Sequence, residues 1–121
     1  MPKSEHRIQD EIRVAVSEQC PGVIFRTNAG VAWQGDKVFS KEFGQYVLIN
    51  LRPYRGLPEG FPDLLYIGPE KATSFVEVKT DKGRASEAQN RFHAMLQRFG
   101  HKICIARSAE EAVSFINSRE T

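Results

Sequence analysis

The stretch FVEVKTDKGRASEAQ, Phe75–Gln89, decides how the chain is read. Its first half has strand composition: Phe75, Val76 and Val78 favour a pleated sheet, and the charged turn Asp81–Arg84 follows Thr80. Its second half opens a helix, because Ser86 and Gln89 stand at capping-box spacing. Strand side chains alternate, so Phe75, Glu77 and Lys79 share one face and Val76 and Val78 the other. With helices on both faces, Glu77 needs a partner, since an unpaired buried carboxylate costs several kcal/mol or more. Cross-strand charges on a solvated face would look the same, so Glu-Val-Lys alone does not decide a function.

Ser4 caps a helix over residues 5–19 with Ile8, Ile12, Ala15 and Val16 on its apolar face, and Pro21-Gly22 ends it. VIFRT, residues 23–27, is a strand. In residues 31–54, VAW and KVF flank QGD as a hairpin or loose ribbon, with YVLINL as a further strand. RGLPEGFP, residues 55–62, is a loop delivering the chain to a strand over 63–67, and a short connection turns it back into a strand over 74–80. The helix after Ser86 carries Ala88, Phe92, Met95, Leu96 and Phe99 inward and stops at Gly100. KICIA, residues 102–106, is a strand, and Ser108 with Glu111 forms a capping box for a last helix with Ala109, Ala112, Val113 and Ile116 inward. This order predicts an α/β fold, a mixed β-sheet core flanked by helices.

The length, 121 residues, suits a single domain over 1–121 with one core. With 40% hydrophobic and 26% charged residues the composition is that of an ordinary globular protein, and a net charge of +2 neither demands nor excludes a polyanionic partner. Cys20 and Cys104 have neither metal spacing nor a disulfide pattern and read as small thiols in a reducing compartment. No signal peptide and no apolar run of roughly 20 residues is visible, so a cytoplasmic protein without membrane association is expected.

Asp63 sharpens the Glu-Val-Lys triplet. It follows Pro62 and opens the preceding strand. Simple hairpin registration sets Asp63 opposite Lys79, with Glu77 diagonal on the same face, and a slip of a residue or two still lets both carboxylates converge. An all-oxygen pair without a histidine or cysteine cluster suits Mg²⁺ or Mn²⁺, and the Val78 backbone carbonyl can add a further ligand. Glu11, between Ile8, Ile12 and Ala15, can supply a third carboxylate, or it can pair with Arg7 at the helix surface. Gln89 can satisfy its own helix cap or face the strand ends. Lys82, Arg84 and Arg91 put positive charge near that helix start, where free N–H groups favour a phosphate; a solvated turn is the plainer alternative.

GFPDLL, then FVEVKTDKGRASEAQ, then a helix and RSAEEA, together resemble the virus-type replication-repair nuclease domain, VRR-NUC, of the PD-(D/E)XK superfamily. The Pro-Asp of that pattern falls on Pro62-Asp63, its Glu-x-Lys on Glu77-Val78-Lys79, its helical glutamate on Glu11 rather than Glu5 or Glu18, and its later glutamine on Gln89. Residues 31–56 match least. The resemblance implies a restriction-endonuclease-like fold and a metal-dependent DNA endonuclease. It implies Asp63 and Glu77 as metal ligands, Lys79 as the residue that positions and helps deprotonate the attacking water, and Glu11 and Gln89 completing the site. Short stand-alone members resemble dimeric Holliday-junction resolvases, which implies branched DNA as partner and a homodimer. Lys82, Arg84 and Arg91, with Arg52 and Arg55, would contact phosphates, and Trp33, Phe43 and Tyr46 could line a dimer surface. A nuclease for flaps, nicks or plain duplex, and a non-catalytic DNA-binding module, are the competing readings.

Overall fold

The computed structural model describes residues 2–28 and 31–118, apart from the side chain of Arg55. In chain order the elements are α1 (Glu5–Gln19), β1 (Val23–Arg26), β2 (Val31–Ser40), β3 (Gln45–Arg55), β4 (Leu64–Ile67), β5 (Thr73–Val78), α2 (Glu87–Arg98), β6 (Lys102–Ala106) and α3 (Ala109–Asn117). A four-stranded sheet runs in the order β1-β4-β5-β6, antiparallel except for the parallel β5–β6 pair. The parallel pair is joined through α2, as a crossover connection requires. This is the mixed, helix-flanked sheet expected from the order of elements.

The two faces of the sheet are filled differently. Leu64, Tyr66, Val76 and Val78 point to one side and form the core with Ile8, Ile12 and Val16 of α1 and Ala112 and Ile116 of α3. Phe75 and Glu77 point to the other side, beneath α2. There the Phe61 ring packs between Phe75 and Phe92, with centroids 5.8 and 5.3 Å away. Helix α2 departs from its apolar pattern: its buried residues are His93 and Leu96, whereas Phe99 is largely exposed.

The β4–β5 connection spans residues 68–72 and is closed by the Gly68 amide donating to the Ala72 carbonyl at 2.6 Å. Leu64 therefore pairs with Val76, and Leu65 with Phe75. Continuing this register by one residue sets Asp63 opposite Glu77, not opposite Lys79 as simple hairpin counting suggests.

Residues 31–55 form a separate two-stranded ribbon. VAW and KVF are not two arms around QGD; they lie on the same strand, and YVLINL is its partner. The chain reverses at 41–44, with Gly44 at φ +65°. Gly35 lies at a bulge, where a β-carbon would come within 2.7 Å of the Ile49 carbonyl oxygen, and Asn50 opposite it takes φ +55°. An Asn tolerates that left-handed conformation better than most residues.

Candidate active site

The site is assembled from the start of β4, the end of β5 and the first two turns of α2. Gly60, Phe61 and Pro62 deliver Asp63. Gly60 has φ +89°, and a β-carbon there would collide with the Ala88 carbonyl oxygen, so this loop lies directly on the first turn of α2. Pro62 is fully buried. From the other side, Thr27 donates through its backbone amide to the Asp63 carbonyl at 3.0 Å and through its hydroxyl to the Pro62 carbonyl at 2.6 Å. The backbone at Asp63 is thus fixed from both sides.

Asp63 Oδ2 accepts the Val78 amide at 2.8 Å. The Lys79 amide donates to the Ala106 carbonyl of β6, so it is Lys79, not Val78, that addresses that strand. Both backbone groups of a strand residue leave on the same edge, so the Val78 carbonyl is directed to the Asp63 side.

Glu77 is 1% exposed and Lys79 9% exposed. Glu77 Oε2 accepts from Gln89 Nε2 at 3.1 Å, and Lys79 Nζ stands 3.9 Å from the same oxygen. Gln89 performs both jobs open to it: its Oε1 accepts the Ser86 amide at 2.9 Å while its Nε2 holds Glu77. Burial, reinforced by the neighbouring Glu77 carboxyl, pushes Asp63 up to about 7. Burial also raises Glu77, against the opposing pull of Asp63 and Lys79. Two carboxyls that face each other with too little positive charge are both harder to ionise.

Glu11 does not join them. It bonds Lys3 Nζ at 2.8 Å and Arg7 Nε at 3.3 Å, and the lysine contact holds its carboxyl below the usual range. The helix-surface alternative is the one realised. The glutamate of α1 whose charge acts on Glu77 is Glu5. Glu5 precedes Ile8 and Ile12 at i+3 and i+7 spacing and so shares their face, whereas Glu11 is displaced from Ile12 by about 100°.

Lys82, Arg84 and Arg91 are exposed around the entrance to α2, and Arg91 stands 3.9 Å from Glu87. Arg52 lies on the ribbon and donates to the Asn50 carbonyl at 3.2 Å. The Arg55 side chain lies outside the described residues.

Two residues that the sequence pattern did not single out also serve the site. Arg107 Nη1 donates to the carbonyls of Thr80, Asp81 and Gly83 at 2.6, 3.3 and 2.7 Å, tying down the turn that presents Lys82 and Arg84. His93, one helical turn beyond Gln89, places Nε2 3.6 Å from Glu77 Oε1. Its signal was the i, i+4 spacing from Gln89.

The donor set fits a hard divalent cation. Burial raises both carboxyls, Asp63 further through the neighbouring Glu77, and Glu77 Oε1 is buried without a hydrogen-bond partner. Among the described residues no group of three or more His, Cys, Asp or Glu is arranged to hold a metal. Two carboxylates suffice for Mg²⁺, which keeps several waters and takes substrate oxygens for the remaining positions.

The sequence profile of the VRR-NUC domain matches residues 4–110. The chain belongs to the VRR-NUC family. A solved structure described as a VRR_NUC domain superposes on it with a TM-score of 0.56 at 20% identity, covering 96% of this chain and 97% of the other. At that identity the likeness shows the fold, and the fold is the one described above. No curated protein matches the sequence significantly. Family and fold place the chain among VRR-NUC-type nucleases. Among the described residues no helix is long and apolar enough to cross a membrane.

Proposed function

We propose that this VRR-NUC protein is a Mg²⁺- or Mn²⁺-dependent structure-specific DNA endonuclease acting on branched DNA of the Holliday-junction type. The observation that carries the catalytic part is the convergence of Asp63, Glu77, Lys79 and Gln89 in one buried corner, with both carboxyls raised.

Asp63, Glu77 and the Val78 carbonyl would hold the cation, with Glu5 rather than Glu11 adding negative charge at the rim. When bound, the cation would make a water easier to ionise and would offset charge on the phosphate. Gln89 fixes the Glu77 carboxylate and is itself fixed by the α2 cap, so the ligand is held ready from a rigid helix. Lys79 directs its ammonium beside Glu77, where it orients the attacking water and faces the phosphate as a point charge. The water loses a proton to solvent and its oxygen bonds phosphorus as the bond to the 3′ oxygen breaks; that oxygen takes a proton from solvent, leaving a 5′-phosphate and a 3′-hydroxyl. Lys82, Arg84 and Arg91 would take flanking phosphates, contacts that give affinity without reading sequence.

A homodimer is supported by the ribbon. Trp33, Phe39, Phe43, Tyr46, Leu48 and Tyr54 are all exposed on it. An isolated two-stranded hairpin is marginal in water, and a concentrated apolar surface of this kind marks an interface. Two ribbons related by a twofold axis would bury these residues and set two active sites across one junction.

Cleavage of matched four-way junction, flap, nicked and linear DNA in Mg²⁺ and in Mn²⁺ tests the reading. Paired nicks across the junction, with linear duplex cut far more slowly, support a resolvase. Equal rates on all four substrates reduce the claim to a general DNA nuclease. Tight binding without cleavage in either ion supports the non-catalytic module.

A further inference from the structure

We propose that His93 is a positioning residue that acts through Glu77, an assignment that rests on the divalent-cation reading of the site. His93 is 8% exposed and lies on the buried face of α2. Among the described residues, buried side-chain polar atoms without a hydrogen bond are confined to Arg13 Nε, Glu77 Oε1 and His93 Nε2. Two of these three face each other at 3.6 Å, about half an ångström beyond an ordinary N–H···O contact. A buried donor and a buried acceptor are rarely both left unmet, because each then bears its full desolvation cost.

The geometry gives the pair a purpose. Gln89 Nε2 already holds Glu77 Oε2 from the first turn of α2. His93 lies one turn further along the same helix face and is directed at Oε1. A small rotation of the carboxylate would close the second bond. Both oxygens of Glu77 would then be held from one helix, with their remaining lone pairs directed to the Asp63 side. Ligating carboxylates are ordinarily oriented by such outer partners, whose loss costs about 10- to 100-fold in metal affinity or activity. His93 does not touch the reacting atoms in this scheme.

The test is Mn²⁺ binding by calorimetry on the full chain, comparing wild type with His93→Leu and His93→Gln, alongside thermal unfolding. The expected result is a roughly 10- to 100-fold weaker Mn²⁺ affinity in His93→Leu and recovery of most of it in His93→Gln, whose amide can also donate. The metal-free melting temperatures should stay within a few degrees of wild type, because leucine removes an unmet polar group. A second measurement needs no variant: Mg²⁺ titrated into the wild-type protein should shift the His93 imidazole ¹⁵N–¹H signal and slow its exchange with water. A His93→Leu variant with wild-type Mn²⁺ affinity, or a His93 signal indifferent to Mg²⁺, overturns the assignment while leaving the cation site standing. Direct ¹⁴N coupling of His93 to bound Mn²⁺ overturns it too, making His93 a ligand. No Mn²⁺ binding by wild type overturns both the assignment and the site.

Discussion

Replacing Asp63 by Asn separates what this carboxyl does for the fold from what it does for a cation. In the folded protein it is pushed up to about 7, first by burial and then by Glu77, from an ordinary value of 3.8. The folded value lies above the unfolded one. The stability linked to the protonated carboxyl is therefore fully present below 3.8 and lost as pH rises through about 7. A rise from 3.8 to about 7 corresponds to at most about 4 kcal/mol, at ~1.4 kcal/mol per pH unit. Partial exposure and the interaction of its titration with that of Glu77 reduce this to about 1–2 kcal/mol. Asn keeps an oxygen for the Val78 amide, now at 2.8 Å, and removes the charge. Without metal at pH 8, Asp63→Asn should be more stable than wild type, with a melting temperature higher by roughly 3–8 °C. At pH 4 the difference should nearly vanish. Added Mn²⁺ should stabilise wild type at pH 8 and leave the variant unmoved. Thermal melts in EDTA at pH 4, 6 and 8, repeated in Mn²⁺, check each part. A variant less stable than wild type at pH 8, or an advantage independent of pH, would show that the Asp63 charge is not what costs the fold stability.

Gly60→Ala should destabilise by about 1–3 kcal/mol in urea unfolding, since its φ of +89° and the Ala88 carbonyl both oppose a β-carbon, and it should weaken Mn²⁺ binding by displacing Asp63. Arg107→Ala removes the clamp on the carbonyls of Thr80, Asp81 and Gly83; amides of residues 81–84 should exchange faster with deuterium, and stability should fall by about 1–3 kcal/mol. Trp33→Ser combined with Tyr46→Ser should convert a dimer to a monomer in sedimentation velocity while the far-ultraviolet spectrum of the sheet and helices persists; an unchanged sedimentation coefficient would exclude the ribbon as the interface.

Much of this architecture is visible in the chain itself, because its signals are local. Ser4, Ser86 and Ser108 each cap the helix that follows, and Gly100, at φ +87°, ends α2. Where local signals mislead, the reasons are specific. The inward face of α1, drawn through Ile8, Ile12 and Ala15, admits Glu11. The buried line is Ile8, Ile12 and Val16, which rotates the face toward Glu5. The β4–β5 register depends on Glu70 and Lys71 both adopting positive φ, at +56° and +65°, which neither residue type announces. Gly35-Asp36 carries a turn signature but supplies a bulge, because the longer pairing of β2 with β3 outweighs a local reversal there. His93 is hidden by its neighbours: the apolar residues Phe92, Met95 and Leu96 suffice to predict a packed helix face, and nothing in that periodicity marks a polar group at its centre. At the start of α3 the capping is shifted by one residue. Ser108 accepts the Glu111 amide as expected, but the Glu111 carboxylate accepts the Arg107 amide at 2.7 Å instead of that of Ser108.

The most direct test of the account is cleavage of a labelled four-way junction by wild type and Lys79→Ala, with and without Mg²⁺. Lys79 stands 3.9 Å from Glu77 Oε2 and is nearly buried, so its loss removes the ammonium from the reaction corner while both carboxyl groups remain in place. Wild type should cut only when the divalent ion is present. Lys79→Ala should lose at least about 100-fold of that rate while folding cooperatively and binding the junction. Cleavage by Lys79→Ala at the wild-type rate, or cleavage by wild type that persists in EDTA, would contradict it.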